Sequence, residues 1–330
     1  MTATRTGMAP ASDATATATP SATASSDLRG PDVFAFDAIG TSWQIETPAP
    51  LEEAERAAVL ARIEEFDRVY SRFRLDSLVT AIAEAPGAGR YEFPADSEVL
   101  FDLYDRLALA TGGAVDPLVG RDLERLGYDR DYSLRAEPTS ANPAGAVASP
   151  RASWGTDVSR EGRMLRTTAP VVIDVGAAGK GYLVDLVAEV LREHGRTEFV
   201  VDASGDLVQA GPEPVRIGLE HPLDPSKAIG VARLRNASLC ASASNRRVWG
   251  DGLHHIVDGR TGNPAREVIA TWVIVNGTAP ASTALADGLA TALFFTGAHR
   301  LAETFHFSYV RMYADGRAEI SRDFPGELFT

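Results

Sequence analysis

The stretch IDVGAAGKGY, residues 173–182, joins a predicted strand to a predicted helix through a turn of small residues. The apolar run VVIDV over 171–175 predicts a buried strand. Apolar residues recur with helical spacing over 182–194 and predict a helix there. The strand therefore delivers Asp174 to the turn, and Lys180 lies at the start of the helix.

Asp174, the small-residue turn and Lys180 form the first candidate site. Small residues let a ligand approach the backbone closely, and a lysine at a helix N-terminus suits a phosphate. Gly181 follows the lysine where a P-loop requires Ser or Thr, and the spacing of a dinucleotide-binding glycine motif is also absent. A tight strand-to-helix turn with a solvated lysine is the alternative.

The second candidate is TALADGLATALFF, residues 283–295, in which Asp287 is the only charged residue. Thr291 follows four residues later, so both side-chain oxygens lie on one helical face. A buried carboxylate must be paired, hydrogen-bonded or bound to a metal. A carboxylate with a hydroxyl suits Mg²⁺ or Ca²⁺ better than zinc. A helix cap or an arginine pair is the alternative role for Asp287.

The third candidate, GDGLHHIVDGRTGNP over 250–264, holds two adjacent histidines. Imidazole titrates near neutrality, so one histidine could serve in catalysis. Neighbours on an extended chain point in opposite directions, so at most one of His254 and His255 faces a site. A turn-rich connection with solvated histidines is the alternative.

The fourth candidate is TGGAVDPLVG over 111–120, whose Asp116-Pro117 pair marks a turn that could accept a ligand. Taken alone, it reads more simply as a helix stop followed by a turn.

Strands and helices neither alternate strictly nor separate, which predicts an α+β domain with two intimately packed halves. The other predicted elements of the amino-terminal half are one or two strands over 33–46 around a bend at Gly40, helices over 51–70 and about 96–111, and a loop over 131–169 with a short strand or two. Those of the carboxy-terminal half are strands over 198–203, 215–220 and 268–277, a helix over 280–295 capped by Ser282 or Thr283, and a hairpin over 307–321 that turns at Asp315-Gly316.

Composition excludes several classes of protein. The 330 residues carry a net charge of -13, which argues against nonspecific nucleic-acid binding. Cys240 is the only cysteine, so an intrachain disulfide and a cysteine-based zinc site are excluded. No window is apolar enough to span a bilayer. Residues 1–30, rich in Ala, Thr and Ser, predict a disordered tail without a signal-peptide core, hence a cytoplasmic protein with its folded domain over 31–330.

Seven segments in this order resemble the ApbE family, the FAD:protein FMN transferases. They are DAIGTSW (37–43), YSRFRLDS (70–77), GGAVDPLVG (112–120), DVGAAGKGYLVD (174–185), VVDASGDLVQAG (200–211), HHIVDGRTGNP (254–264) and ALADGLATAL (284–293). The resemblance implies an α+β domain that binds FAD with a divalent metal, usually Mg²⁺, with Ca²⁺ or Mn²⁺ as alternatives. It implies transfer of FMN to a Ser or Thr hydroxyl of an acceptor protein, with release of AMP.

The resemblance also assigns roles by position. Asp287, Thr291 and the carbonyl of Ala177 match the metal ligands. The positions that match FAD contacts are Ile39, Phe73, Ala114, Val115, Asp116, Asp174, Lys180 and Val257. The predicted catalytic residues are His255 as general base, Asp258 as its orienting partner or competitor, and Lys180 as a second positive charge beside the metal.

The chain departs from the family pattern in four places: Ile39 replaces methionine, Phe73 replaces tyrosine, Ser242-Ala243-Ser244 replaces Ser-Gly-Asp, and Gly259 replaces proline. None is a presumed metal ligand. An FAD pyrophosphatase that uses water as nucleophile and a flavin-binding protein without turnover are the competing functions. The Asp287/Thr291 pair argues against the latter, because simple flavin binding needs no metal pair.

Overall fold

A computed structural model describes residues 31–137 and 151–329 of the chain. The tail expected over 1–30 and the central part of the predicted 131–169 loop lie outside the described residues. Within these ranges the predicted α+β class is confirmed, with one eight-stranded sheet joining the elements that we expected in two packed halves.

The helices are α1 (Glu53–Tyr70), α2 (Leu78–Ala83), α3 (Ser97–Thr111), α4 (Gly120–Arg125), α5 (Trp154–Asp157), α6 (Gly179–Glu193), α7 (Ser282–Ala292) and α8 (Ala298–Leu301), with 3-10 turns at Pro117–Val119 and Ser244–Arg246.

The strands are β1 (Asp32–Ala38), β2 (Thr41–Thr47), β3 (Gly89–Glu92), β4 (Val158–Glu161), β5 (Met164–Thr167), β6 (Phe199–Asp202), β7 (Asp206–Ala210), β8 (Val215–His221), β9 (Asp224–Leu234), β10 (Ala237–Ala243), β11 (Val248–Trp249), β12 (Leu253–His254), β13 (Val268–Asn276), β14 (Ser308–Tyr313), β15 (Ala318–Ile320) and β16 (Gly326–Leu328).

The central sheet is antiparallel throughout, in the order β1-β2-β6-β7-β10-β13-β14-β15. The larger hydrophobic core lies between this sheet and helices α1, α3, α6 and α7. On the opposite face, side chains such as Leu239, Trp272 and Val310 pack against the small sheet β16-β9-β8. Each face of the central strands is therefore covered, which explains why β7 is buried at every residue.

The amino-terminal elements follow their sequence patterns. Strands β1 and β2 form an antiparallel hairpin at the Gly40 bend, where the sequence predicted one or two strands. In α1 the apolar residues that recur at spacings of 4, 3 and 4 in the sequence, Val59, Ile63, Phe66 and Tyr70, are all buried. Helix α3 ends at Gly112, which adopts the left-handed conformation that a helix stop requires.

The predicted strand over 171–175 is wrong. This segment is buried, with Val171, Ile173 and Val175 in the core, but it belongs to no sheet among the described residues. The Asp174 N–H instead donates to the Pro117 carbonyl at 2.7 Å. The apolar run VVIDV predicted the burial of this segment but not its conformation, because a buried segment need not pair with a neighbouring strand.

The structure also corrects the predicted start of α6 and the predicted cap of α7. Helix α6 begins at Gly179 rather than 182, so Lys180 lies inside its first turn. Neither Ser282 nor Thr283 caps α7, because its N-cap position is Ala281, which makes no side-chain cap. The Asp185 carboxylate on α6 accepts the α7 N–H groups of Thr283 and Ala284, at 3.1 and 2.8 Å.

Helices α6 and α7 approach each other closely at Gly181. A Cβ atom at this position would lie 2.4 Å from the Thr283 carbonyl oxygen and 2.7 Å from the Asp287 Cβ. Glycine is therefore required here, and its N–H donates to Asp287 Oδ2 at 2.9 Å. No helix among the described residues has the length and apolar character needed to cross a membrane.

We expect Gly181→Ala to lower the free energy of unfolding by about 1–3 kcal/mol, because the new methyl group meets backbone atoms that cannot rotate away. Denaturant titration measures the change. Gly87→Ala is the control, because a Cβ there meets nothing within 4 Å. Equal free energies of unfolding for the two variants would contradict this prediction and show that α6 and α7 can move apart without loss of stability.

Candidate active site

A cavity of about 690 Å³ lies among the four segments that the sequence singled out. Its walls are formed by six segments of the chain. They are the β1–β2 turn, the residues after α1, the turn before the Pro117–Val119 helix, the start of α6, α7 and the 255–257 segment. The predicted site residues on its surface are Ile39, Phe73, Ala114, Val115, Asp116, Asp174, Ala177, Lys180, His255, Val257, Asp287 and Thr291. Asp258 does not line the cavity.

The three oxygens assigned to a metal lie on one side of this cavity. Thr291 Oγ1 is 3.3 Å from the Ala177 carbonyl oxygen, and Asp287 is one helical turn before Thr291 on α7. Asp287 is only 4 % exposed. Burial, and then the nearby Asp206, raise the pKa of the Asp287 carboxyl well above its usual range. A cation bound at this carboxylate would offset both effects.

This donor set fits a hard divalent cation. A carboxylate, a hydroxyl and a backbone carbonyl are oxygen ligands of the kind that Mg²⁺ and Ca²⁺ take. Within the described ranges there is no group of three or more His, Cys, Asp or Glu side chains placed to hold a metal. The site contributes a single carboxylate, which leaves positions for ligand oxygens and water.

The Lys180 ammonium group contacts two acceptors, one on β7 and one in the turn before that strand. Its Nζ lies 2.6 Å from Asp206 Oδ2 and donates to the Ala203 carbonyl at 2.9 Å. Burial alone would lower the pKa of the lysine, but Asp206 and Asp287 outweigh it and raise the pKa above its usual value. Lys180 therefore remains positively charged at the cavity.

Asp206 lines the cavity and pairs with Lys180, but the sequence did not single it out as a candidate site residue. It is 1 % exposed and begins β7, whose five residues are all buried. An aspartate that opens a fully buried strand is the signal that could have identified it, because a buried carboxylate requires a partner. That partner, Lys180, is 26 residues away in the sequence.

Asp174 pairs with an arginine that lies next to Phe73. Arg72 Nε donates to Asp174 Oδ2 at 2.6 Å, and Gly176 N donates to Asp174 Oδ1 at 2.7 Å. Burial alone would raise the pKa of Asp174, but the Arg72 guanidinium holds it below its usual range. The carboxylate is therefore ionised and both of its oxygens already accept hydrogen bonds.

The Ala114-Val115-Asp116 turn is held by contacts of its own. Asp116 Oδ1 accepts from Leu118 N at 2.8 Å and Oδ2 from Trp154 N at 2.9 Å. Gly259 N donates to the Ala114 carbonyl at 2.9 Å, a bond that the family's usual proline could not make. Only a glycine fits, because a Cβ there would lie 2.6 Å from the Gly113 carbonyl oxygen.

Of the two adjacent histidines, His255 lines the cavity, whereas His254 Nε2 lies 2.7 Å from the Ala265 carbonyl. His255 Nδ1 is buried and has no hydrogen-bond partner among the described residues. Burial, with Arg247 and His254 nearby, lowers the pKa of His255 to about 4. Its imidazole is therefore neutral at physiological pH.

Asp258 is engaged elsewhere. Its carboxylate accepts from Arg260 Nε at 2.9 Å and from Arg260 Nη2 at 2.6 Å. The structure therefore brings His255 to the cavity but directs Asp258 to an arginine outside it. The role of Asp258 as partner of His255 stays a prediction without a supporting contact.

Ile39 and Phe73, the two positions that the resemblance matches to flavin contacts, both line the cavity. Ile39 has a φ of 46°, a conformation that a β-branched residue rarely adopts. Phe73 stacks on Tyr132, with ring centroids 5.1 Å apart and an angle of 11° between the rings. Tyr128 packs edge-on against Phe73 at 5.5 Å. The cavity thus combines an aromatic wall with cations and oxygen donors, as a site for an aromatic phosphate ester would.

Comparison with known proteins identifies the class. A sequence model of the ApbE family matches residues 39–310, so this chain belongs to the ApbE family. It is 27% identical over 296 residues to the FAD:protein FMN transferase of Klebsiella pneumoniae, covering 83% of this chain and 81% of that protein. It is 29% identical over 282 residues to the protein of the same name from Rhodobacter capsulatus, and this alignment covers 81% of this chain and 52% of that protein.

Solved structures share the fold. The ApbE protein of Thermotoga maritima superposes with a TM-score of 0.76 at 24% identity, over 90% of this chain and 100% of that one. The flavin transferase ApbE of Vibrio cholerae superposes with a TM-score of 0.73 at 22% identity, over 89% of this chain and 98% of that one.

The neutral His255 makes stability depend on pH. Between the unfolded pKa of 6.5 and the folded pKa of about 4, the unfolded chain binds a proton that the folded chain does not. Stability therefore falls as the pH falls from 6.5 towards 4, by about 2 kcal/mol from this residue. Unfolding titrations at pH 7 and pH 4.5 should show a smaller loss for His255→Gln than for wild type.

The exposed His299 provides the control, and His299→Gln should retain the full pH dependence of the wild type. An identical loss in the His255 variant would place the titrating group elsewhere.

Proposed function

We propose that this protein transfers the FMN moiety of FAD to a Ser or Thr hydroxyl of an acceptor protein and releases AMP. The convergence of Asp287, Thr291 and the Ala177 carbonyl on one cavity wall, with Lys180 beside them, is the observation that carries the proposal. Membership of the ApbE family supports it, because relatives that cover most of this chain are named FAD:protein FMN transferases.

The reaction is a substitution at phosphorus. The acceptor hydroxyl oxygen attacks the phosphorus of the FMN half of the pyrophosphate and loses its proton. The bond from this phosphorus to the bridging oxygen breaks, and AMP leaves with the electron pair. Negative charge grows on the phosphoryl and leaving oxygens, so the site must supply positive charge there.

Asp287, Thr291 and the Ala177 carbonyl would hold a divalent cation, with Mg²⁺ the expected ion and Ca²⁺ or Mn²⁺ as alternatives. When bound, such an ion neutralises charge on the pyrophosphate oxygens. Lys180 adds a second charge from the first turn of α6, where the helix dipole also favours anions. Asp206 and the Ala203 carbonyl hold the ammonium group, so little reorganisation accompanies the reaction.

His255 is the proposed general base. Its imidazole lines the cavity, and the low pKa keeps it neutral and able to accept a proton at pH 7. The same low pKa makes it a weak base, so its part is to receive the proton as the oxygen–phosphorus bond forms. Asp258 pairs with Arg260 and is not assigned a step.

The acceptor is expected to be a protein with a Ser/Thr-Gly-Ala-Thr-like segment, and the reaction is expected in the cytoplasm. Incubation with FAD, Mg²⁺ and a peptide carrying such a segment, followed by intact-mass measurement, tests the function.

We expect a mass increase equal to FMN on the peptide and release of one AMP for each FMN transferred. The peptide in which alanine replaces the acceptor Ser or Thr serves as control and should stay unmodified. Free FMN with AMP and no modified protein would instead indicate an FAD pyrophosphatase. FAD that stays intact through long incubation with Mg²⁺ would indicate a binding protein.

We expect Asp287→Asn and Thr291→Val to lower the initial rate of AMP release at least about a hundredfold, because each removes a metal donor. Thr291→Ser keeps the hydroxyl and should retain most activity. EDTA should abolish the rate and excess Mg²⁺ should restore it. Asp315→Asn, in the exposed β14–β15 turn, is the matched control. Wild-type rates in both donor variants at every Mg²⁺ concentration would contradict the assignment.

A further inference from the structure

Arg72 is a cation of the cavity wall that lies within the segment YSRFRLDS but received no role from the sequence or from the family resemblance. It follows α1 and precedes Phe73, and only 5 % of the residue is exposed. Its Nε is bound by Asp174, but Nη1 and Nη2 are buried without a hydrogen-bond partner among the described residues. A buried donor without a partner costs about 1–3 kcal/mol, so an arrangement of this kind calls for an acceptor that the free chain does not provide.

Aromatic rings cover the guanidinium but do not replace that acceptor. Its Cζ lies 4.3 Å from the Phe73 ring centroid and 5.0 Å from that of Tyr128. Cation–π contacts of this kind stabilise the charge and orient the plane of the group. They leave the paired Nη donors without an acceptor, in the fork geometry that binds two oxygens of one anionic group.

The pair with Asp174 changes what this wall offers to a ligand. The family resemblance makes Asp174 an FAD contact, yet Arg72 and Gly176 N already occupy its two oxygens. The wall therefore presents hydrogen-bond donors of Arg72 where an unpaired carboxylate would present acceptors. A ligand group that accepts hydrogen bonds and carries negative charge fits this arrangement.

The position of the pair indicates which part of FAD that group is. Asp174 is three residues before Ala177, whose carbonyl lies beside Thr291. The same turn leads into the first turn of α6 with Lys180. Arg72 is thus tied to the turn that carries the residues proposed to hold the metal and the phosphates. The pyrophosphate is the part of FAD that carries negative charge at neutral pH, so it is the part that matches the unpaired donors of Arg72.

Resting on the proposed function, we infer that Arg72 is a binding residue for the pyrophosphate of FAD, which it contacts through Nη1 and Nη2. It supplies a second fixed cation beside Lys180. The affinity for ligands that contain a pyrophosphate therefore depends on Arg72, and the affinity for ligands that lack one does not.

Binding titrations with FAD, ADP and riboflavin in the presence of Mg²⁺ test this inference. Arg72→Met alone would leave Asp174 buried and unpaired, which itself destabilises the fold. The decisive comparison is therefore Asp174→Asn against the double variant Arg72→Met/Asp174→Asn, since neither contains the ion pair. Thermal unfolding verifies that both are folded.

We expect the double variant to bind FAD and ADP about ten- to a hundredfold more weakly than Asp174→Asn, as loss of hydrogen bonds to a charged group predicts. Riboflavin affinity should change less than about twofold, which a merely structural role would not produce. Arg72→Lys, which keeps the charge but loses the fork, should weaken FAD and ADP binding and spare riboflavin. Arg68→Met, an exposed arginine of α1, is the control and should bind all three as wild type does.

Unchanged affinity for FAD and ADP would overturn the inference, and so would an equal loss for riboflavin. The proposed function has a separate readout in the wild-type chain. If wild type modifies the acceptor peptide while the Arg72 variants bind FAD normally, only the role of Arg72 is wrong. If wild type binds no FAD, the function and the inference both fail.

Discussion

The contact between α6 and α7 at Gly181 is the constraint on which the site depends. Because Gly181 has no side chain, its N–H reaches Asp287 Oδ2 at 2.9 Å, and the two helices share one side of the cavity. Asp185 strengthens the same junction by accepting the first N–H groups of α7. Lys180 on one helix and Asp287 on the other are therefore held in a fixed relation by backbone contacts rather than by flexible side chains.

Charge balance is the second organising feature. The chain is acidic, with a net charge of -13, yet each buried carboxylate at the cavity has a specific compensation. Asp206 pairs with Lys180, Asp174 pairs with Arg72, and Asp287 accepts a backbone N–H but makes no salt bridge among the described residues. An incoming metal ion would supply the missing charge at Asp287, and Lys180 and Arg72 would face the anionic ligand. This distribution explains how an acidic protein can accommodate a pyrophosphate.

The departures from the family pattern have physical consequences that differ from one another. Gly259 replaces a proline and uses its N–H to bind the Ala114 carbonyl, so the turn beside Asp116 is held by the 258–264 loop. Phe73 cannot donate a hydrogen bond as tyrosine would, but its ring still stacks on Tyr132 and on the Arg72 guanidinium. Ile39 keeps an apolar contact at the cavity in a backbone conformation that disfavours its side chain. These changes alter the aromatic and apolar walls and leave the oxygen donors in place.

The sequence by itself determined the α+β class, the buried face of α1 and the order of the segments that form the cavity, because periodicity and turn residues are local properties of the chain. It also placed Asp287 and Thr291 on one helical face. Only the tertiary structure decided that 171–175 lies outside the sheet, that α7 is capped by Asp185, and that Asp258 turns to Arg260. The partners of Lys180 and Asp174 are likewise tertiary, since Asp206 and Arg72 come from distant segments. Sequence spacing encodes which residues share an element, whereas the pairing of buried charges depends on how the elements pack.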